Sequence, residues 1–143
     1  MVPGLVRGSA GYAQAVNLEK VVFGFFVLLA ATLNFGFFIG DISDPQVHNV
    51  VELFLAVVVN LIATVLKFGD RTQMGAIHLA ASLVAVLQLL AAATMWVWAT
   101  QVSAEGLNAQ HTASVVSLSG GALLANLVSI TLLVVETSSY RRR

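Results

Sequence analysis

Cysteine is absent from the 143 residues, which removes disulfides, thiolate metal centres and iron–sulfur clusters from consideration. Charge is scarce: Lys, Arg, Asp and Glu together make up 10% of the chain, too little for the surface of an ordinary soluble domain. Only two prolines are present, so long helices can run without interruption. No P-loop, GxGxxG, HExxH or GxSxG motif occurs, and nothing places a nucleophile beside a base. A potassium-filter TVGYG and an arginine ladder are missing too. These absences predict a chain that is not an enzyme, carries no cofactor and offers no nucleic-acid interface.

What is present is apolar. Hydrophobic residues make up 58% of the sequence, and the mean hydropathy is +0.89. A hydrocarbon core takes about 20 helical residues. Four runs meet that length, at 21–40, 48–69, about 75–99 and about 114–137. None shows the strict alternation of a membrane strand. The expected architecture is all-α, a four-helix transmembrane bundle with helices at about 18–40, 45–69, 71–99 and 109–137. Residues 1–17 read as an N-terminal tail without the features of a signal peptide, 18–138 as one membrane domain, and 139–143 as a basic C-terminal tail.

The zero net charge conceals an asymmetry. Arg7, Lys20, Lys67, Arg71, Arg141, Arg142 and Arg143 all fall on one side of such a bundle, whereas Asp41, Asp44, Glu52 and Glu105 fall on the other. The positive-inside rule then predicts both termini in the cytoplasm, with an acidic outer mouth that concentrates cations. Trp96 and Trp98 mark the outer end of the third helix as interfacial anchors.

Local signals refine the ends. Asn17 is a candidate N-cap for the first helix, with Glu19 in its first turn. Asp44-Pro45 reads as N-cap plus N1 of the second helix, which makes His48 and Glu52 helical. Gly69 ends that helix, Asp70 and Gln73 resemble a capping box, and a turn of about two residues follows. Asn108 or Ser103 opens the fourth helix.

The second helix carries His48, Glu52, Asn60, Thr64 and Lys67 in an otherwise apolar stretch. At about 100° per residue, the polar and small positions from Glu52 to Lys67 share an arc of about 120°. That face is kept from lipid, either to pack against helices or to line a hydrated path. Glu52 favours the path, because burying an ionised carboxylate without partner or water costs several kcal/mol. His48 and Glu52 supply only two ligands, so no metal centre is expected. Asn34, Asn60, Gln88 and Asn126 give each helix one carboxamide, predicting a polar belt inside the bundle or around an oligomer axis. Ala113, Ser117, Gly121, Ala125 and Ser129 form a ridge of small residues on the fourth helix, where backbones approach closely. The first helix displays Phe23, Phe25, Phe26, Phe35, Phe37 and Phe38 as a lipid- or subunit-facing surface. His78 is expected to be a hydrogen-bonded histidine, or else a pH-sensitive gate.

The run LEKVVFGFFVLLAATLNFGFFIGDISDPQVHNVVELF, together with LIATVLKFGDRTQMG, resembles an uncharacterised family of small four-span bacterial inner-membrane proteins over roughly residues 18–100. The resemblance implies four spans and a bacterial inner membrane, and no substrate or site.

From the residues, the expected function is an oligomeric cation channel or channel-like transporter, acting on monovalent or divalent cations. Helix two would line the path on an axis between copies of the chain. Glu52, Asp41 and Asp44 would form its outer ring with His48 beside them, Asn60 and Thr64 the mid-membrane lining with Gln88 or Asn126, and Lys67 and Arg71 the cytoplasmic exit. The alternative is a non-conducting accessory subunit in which the same groups serve packing.

Overall fold

The computed structural model describes the backbone of residues 3–141 and the side chains of residues 18–139. Four helices follow in order: α1 (Pro3–Phe38), α2 (Val50–Lys67), α3 (Gln73–Gln101) and α4 (Ala109–Arg141). Each contains a segment long and apolar enough to cross a bilayer, and no strand occurs among the described residues. Each helix packs on its chain neighbours and α4 closes against α1, giving an antiparallel square. At most 39% of any span is buried inside the chain, and the outward positions are Val, Leu, Ile and Phe. This is a multi-pass membrane protein.

Helix α1 continues back to Pro3, so Asn17 lies within the helix and does not start it. The side chains of Arg7, Asn17, Arg141, Arg142 and Arg143 lie outside the described residues.

The connection from α1 to α2 departs from expectation. Asp44 does cap a helical turn, accepting from the Gln46 amide at 2.9 Å, but that turn is a 3-10 segment of three residues, Pro45–Val47. His48 then adopts an extended backbone, φ −107° and ψ 113°, and Asn49 caps α2 afresh by accepting from the Val51 amide. His48 is therefore not helical. Its ring is drawn to the C-terminal end of α1, with Nδ1 2.5 Å from the Phe37 carbonyl and Nε2 2.8 Å from the Asp41 carbonyl. The bond to Phe37 satisfies a carbonyl that the end of α1 leaves open, and α2 begins at Val50 instead of Pro45.

The α2–α3 turn is longer than expected because the cap is Thr72, not Asp70. Thr72 Oγ1 accepts from the Gly75 amide, while Asp70 Oδ1 accepts from both the Thr72 amide and its hydroxyl. At the remaining connection, Asn108 caps α4 by accepting from the His111 amide at 2.8 Å.

The interior holds two apolar clusters. One joins Phe37, Leu53, Ala56, Leu89, Ala92, Val115 and Ala122, and the other joins Phe23, Val27 and Ala63 with Ile130 and Leu133. Phe23 and Phe37 thus belong to the core, at 2% and 0% exposure, while Phe25 and Phe35 face outward. Between the clusters lie buried Asn60, Asn126 and Ser129, with Ser82 at the same level on α3. A polar layer divides the core.

Candidate functional site

We call the end bearing the 39–49 and 102–108 connections the acidic end, and the end bearing the 68–72 turn the basic end. At the acidic end, Asp41 and Asp44 are occupied in shaping the loop. Asp41 accepts from the Ser43 amide and hydroxyl, and those two bonds hold its carboxyl below the usual carboxylate range. Asp44 accepts from the Gln46 amide, so both carboxyls serve the loop.

Glu52 takes a different direction. It sits in the first turn of α2, where the helix dipole favours an acid, and its carboxylate lies against Gly36 of α1. A Cβ at Gly36 would overlap that carboxylate, so glycine makes room for it. Glu52 Oε2 is buried and has no hydrogen-bond partner among the described residues. Two residues before Gly36, Asn34 is fully buried; its Oδ1 accepts from the Ser119 hydroxyl of α4, and its Nδ2 has no partner. Gln88 of α3 reaches the same region, its carboxamide lying over Gly121 with Oε1 unpartnered.

The remaining polar groups continue toward the basic end along α4 and the helices that face it. Asn126 and Ser129 are buried at 3% and 2% exposure, and Asn126 Nδ2 and Ser129 Oγ lack partners. Ser82 is buried on α3 at 3%. His78 lies one turn nearer the basic end at 0%, with neither ring nitrogen hydrogen-bonded. Its Nε2 is 3.9 Å from Glu136 Oε2, and Glu136 Oε1 is 3.5 Å from Lys20 Nζ. From Ser119 to Glu136 these groups span about 25 Å of helix axis.

Seven buried side-chain polar atoms have no partner within the described chain, and they belong to Glu52, Asn34, Gln88, Asn126, Ser129 and His78. Native interiors leave few such groups, because each costs about 1–3 kcal/mol. They occur at several levels of the helices, from Glu52 near the acidic end to His78 near the basic end, and donors and acceptors both occur among them. Such groups are suited to hold water or a passing cation.

The polar row of α2 behaves otherwise. Asn60 and Thr64 are 1% and 5% exposed, packed inside the chain, and so do not face an axis between copies. Asn60 Nδ2 donates to the Ala56 carbonyl and Thr64 Oγ1 to the Asn60 carbonyl, so both spend their bonds on their own helix. Lys67 is not at an open exit: its ammonium lies 4.2 Å above the Phe23 ring and 3.4 Å from Asp70. Arg71 is exposed in the turn, and His48 is locked in the loop. Of the expected lining, Glu52, Asn34, Gln88 and Asn126 each keep a buried polar atom without a partner, whereas His48, Asn60, Thr64 and Lys67 have partners within the chain, Asp41 and Asp44 bond within the loop, and Arg71 is exposed.

Ser119, Ser82 and Ser129 are buried and Glu136 is partly buried, although the sequence did not single them out as lining. Ser119 and Asn126 are seven residues apart and share a helical face, as do Ser129 and Glu136. That spacing was the available signal. Two open apolar grooves lie at the helix surface, one lined by Leu133, Val134, Thr137 and Ser138, the other by residues of α1 and α4 including Phe35 and Leu127. Neither includes any of these groups.

Comparison with known proteins gives one result. A family of unknown function (DUF6394) matches residues 47–137, which include Glu52, His78, Gln88, Ser119, Asn126, Ser129 and Glu136, while Asn34 and Lys20 precede the match. No curated protein and no solved structure matches the chain.

Proposed function

We propose, for a chain that belongs to the DUF6394 family and takes no activity from it, that it translocates a cation through the interior of its own four-helix bundle. The carrying observation is the set of unpartnered polar atoms from Glu52 to His78. The path is occluded at rest: its members are buried, and the bundle must breathe or admit water for a cation to pass. Glu52 is the carboxylate that offsets the cation at the acidic end, Asn34, Ser119, Gln88, Asn126 and Ser129 supply neutral oxygens and amides, and Glu136 is the carboxylate at the other end. The acidic loops feed the entrance. We place the protein in a bacterial inner membrane with both termini cytoplasmic, which suits the distribution of its basic residues. The mechanism needs no second copy.

Purified protein in liposomes is expected to pass protons, sodium or potassium down an imposed gradient, and Glu52→Gln is expected to reduce that flux at least tenfold. Silence toward all three cations from a correctly folded preparation overturns the proposal.

A second reading, a non-conducting accessory subunit, is favoured by the self-satisfied Asn60 and Thr64 and by the close seating of side chains on Gly36 and Gly121. It predicts that Glu52→Gln changes nothing measurable and that a larger partner co-purifies from native membranes.

A further inference from the structure

His78 is the one titratable side chain of α3, at 0% exposure with neither ring nitrogen hydrogen-bonded. Its surroundings draw on every helix. Phe23 of α1 presents its ring edge-on at a centroid distance of 5.1 Å. Glu136 of α4 stands 3.9 Å from Nε2 and is itself 3.5 Å from Lys20 of α1. Lys67 of α2 lies over the same phenylalanine, 4.2 Å from its ring centre, with Asp70 of the turn 3.4 Å from the ammonium. Two ammoniums and two carboxylates therefore surround a ring that has nothing else to bond. The cluster is neutral while the imidazole is neutral.

From this geometry we infer that the cargo is the proton and that His78 with Glu136 is the site where it is exchanged with the cytoplasm. The inference rests on the interior path proposed above and names what moves along it. An alkali cation in a membrane must replace its hydration shell with several oxygens. At this end the buried group is a ring nitrogen facing one carboxylate, Glu136, which Lys20 already pairs, so the described residues offer no shell of oxygens to a metal cation. A neutral imidazole nitrogen, by contrast, accepts a proton and places the new charge beside Glu136. The transfer balances simply. A proton arriving along the path bonds to Nε2 and makes an imidazolium; Nε2–H then passes it to Glu136 Oε2, leaving a neutral ring and a neutral acid; the acid, a fifth exposed at the bundle edge, releases it to bulk water and returns to carboxylate. The same steps reversed run the other way. Lys20 holds the carboxylate in place between turnovers.

The experiment uses the full chain in liposomes carrying an internal pH-sensitive dye, with membrane potential clamped by potassium and valinomycin, alongside separate sodium and potassium flux assays. Proton flux is expected, with little sodium or potassium flux, and His78→Gln and Glu136→Gln are each expected to lower it at least tenfold. In the wild-type chain, ring nitrogen signals of His78 are expected to pass from neutral to doubly protonated as pH falls from about 8 to about 4, with no variant needed. Sodium or potassium flux without proton flux overturns this inference and leaves the interior path standing, as does proton flux unaffected by either substitution. A ring that remains neutral across that pH range also overturns it. Absence of flux for every cation overturns the interior path itself.

Discussion

At the scale of the residue, His48 shows how one contact redirects a chain. Its two ring nitrogens lie against the Phe37 and Asp41 carbonyls, and the nitrogen that carries the N–H donates, so the ring ties the last turn of α1 to the loop that follows it. Glutamine cannot reach both carbonyls with one amide. His48→Gln is expected to destabilise the protein by about 1–3 kcal/mol. Amide exchange should rise specifically over residues 39–49, and unchanged protection there would contradict the assignment. The helical reading of His48 from Asp44-Pro45 was sound as local chemistry; what it lacked was a carbonyl eleven residues earlier in the chain. At the α2–α3 turn, burial pushes the Asp70 carboxyl up, but its bonds to the Thr72 hydroxyl and amide and the nearby Lys67 ammonium outweigh that, so it is held below its ordinary value. The folded form therefore releases its proton more readily than the unfolded one. Its stabilisation is full above about pH 4 and is lost as pH falls through the depressed folded value. Melting temperature in detergent should decline on acidification through that window, and less steeply in Asp70→Asn.

At the scale of the element, two glycines act as seats. Gly36 of α1 receives the Glu52 carboxylate and Gly121 of α4 receives the Gln88 carboxamide, and a Cβ at either position overlaps the guest. Gly121→Val is expected to cost about 1–3 kcal/mol through overpacking. Gly36→Ala should act on function as well, by displacing Glu52, so that cation flux falls more than melting temperature does; equal loss of both would reduce Gly36 to a packing residue. Helix periodicity identified the buried face of α2 correctly, since Ala56, Asn60, Ala63 and Thr64 are all interior. Periodicity tells which face is buried and is silent on what lies opposite. The opposite side is packed helix, and Asn60 and Thr64 turn back onto their own backbone, a choice available to any Asn or Thr in a helix. Gln88 and Asn126 were legible because a carboxamide stands out in an apolar run, while Ser82 and Ser119 were not, because a small hydroxyl reads as a packing residue. The cap at Asn108 was legible from local chemistry alone.

At the scale of the whole molecule, composition determined the outcome: with 58% hydrophobic residues and four runs of spanning length, a four-span bundle was the available solution. Which buried polar groups would be left without partners was not legible, because they come from all four helices and no single face contains them. The basic end joins them electrostatically through Lys20, Lys67, Asp70, His78 and Glu136. The absence of cysteine from the sequence allows labels to be placed in pairs without background. Distances between α1 and α4 labels at this end are expected to shift as pH falls from about 8 to about 4 in the wild type and to stay fixed in Glu136→Gln; no shift in either would argue against a proton-linked contact there.

The central claim is that a single chain contains the complete path. Reconstitution at low protein-to-lipid ratios, counting the fraction of vesicles that dissipate an imposed proton gradient as copies per vesicle increase, tests it most directly. The account predicts that the active fraction follows the statistics of one copy per vesicle; a requirement for two or more copies, or vesicles that remain tight at every loading, would contradict it.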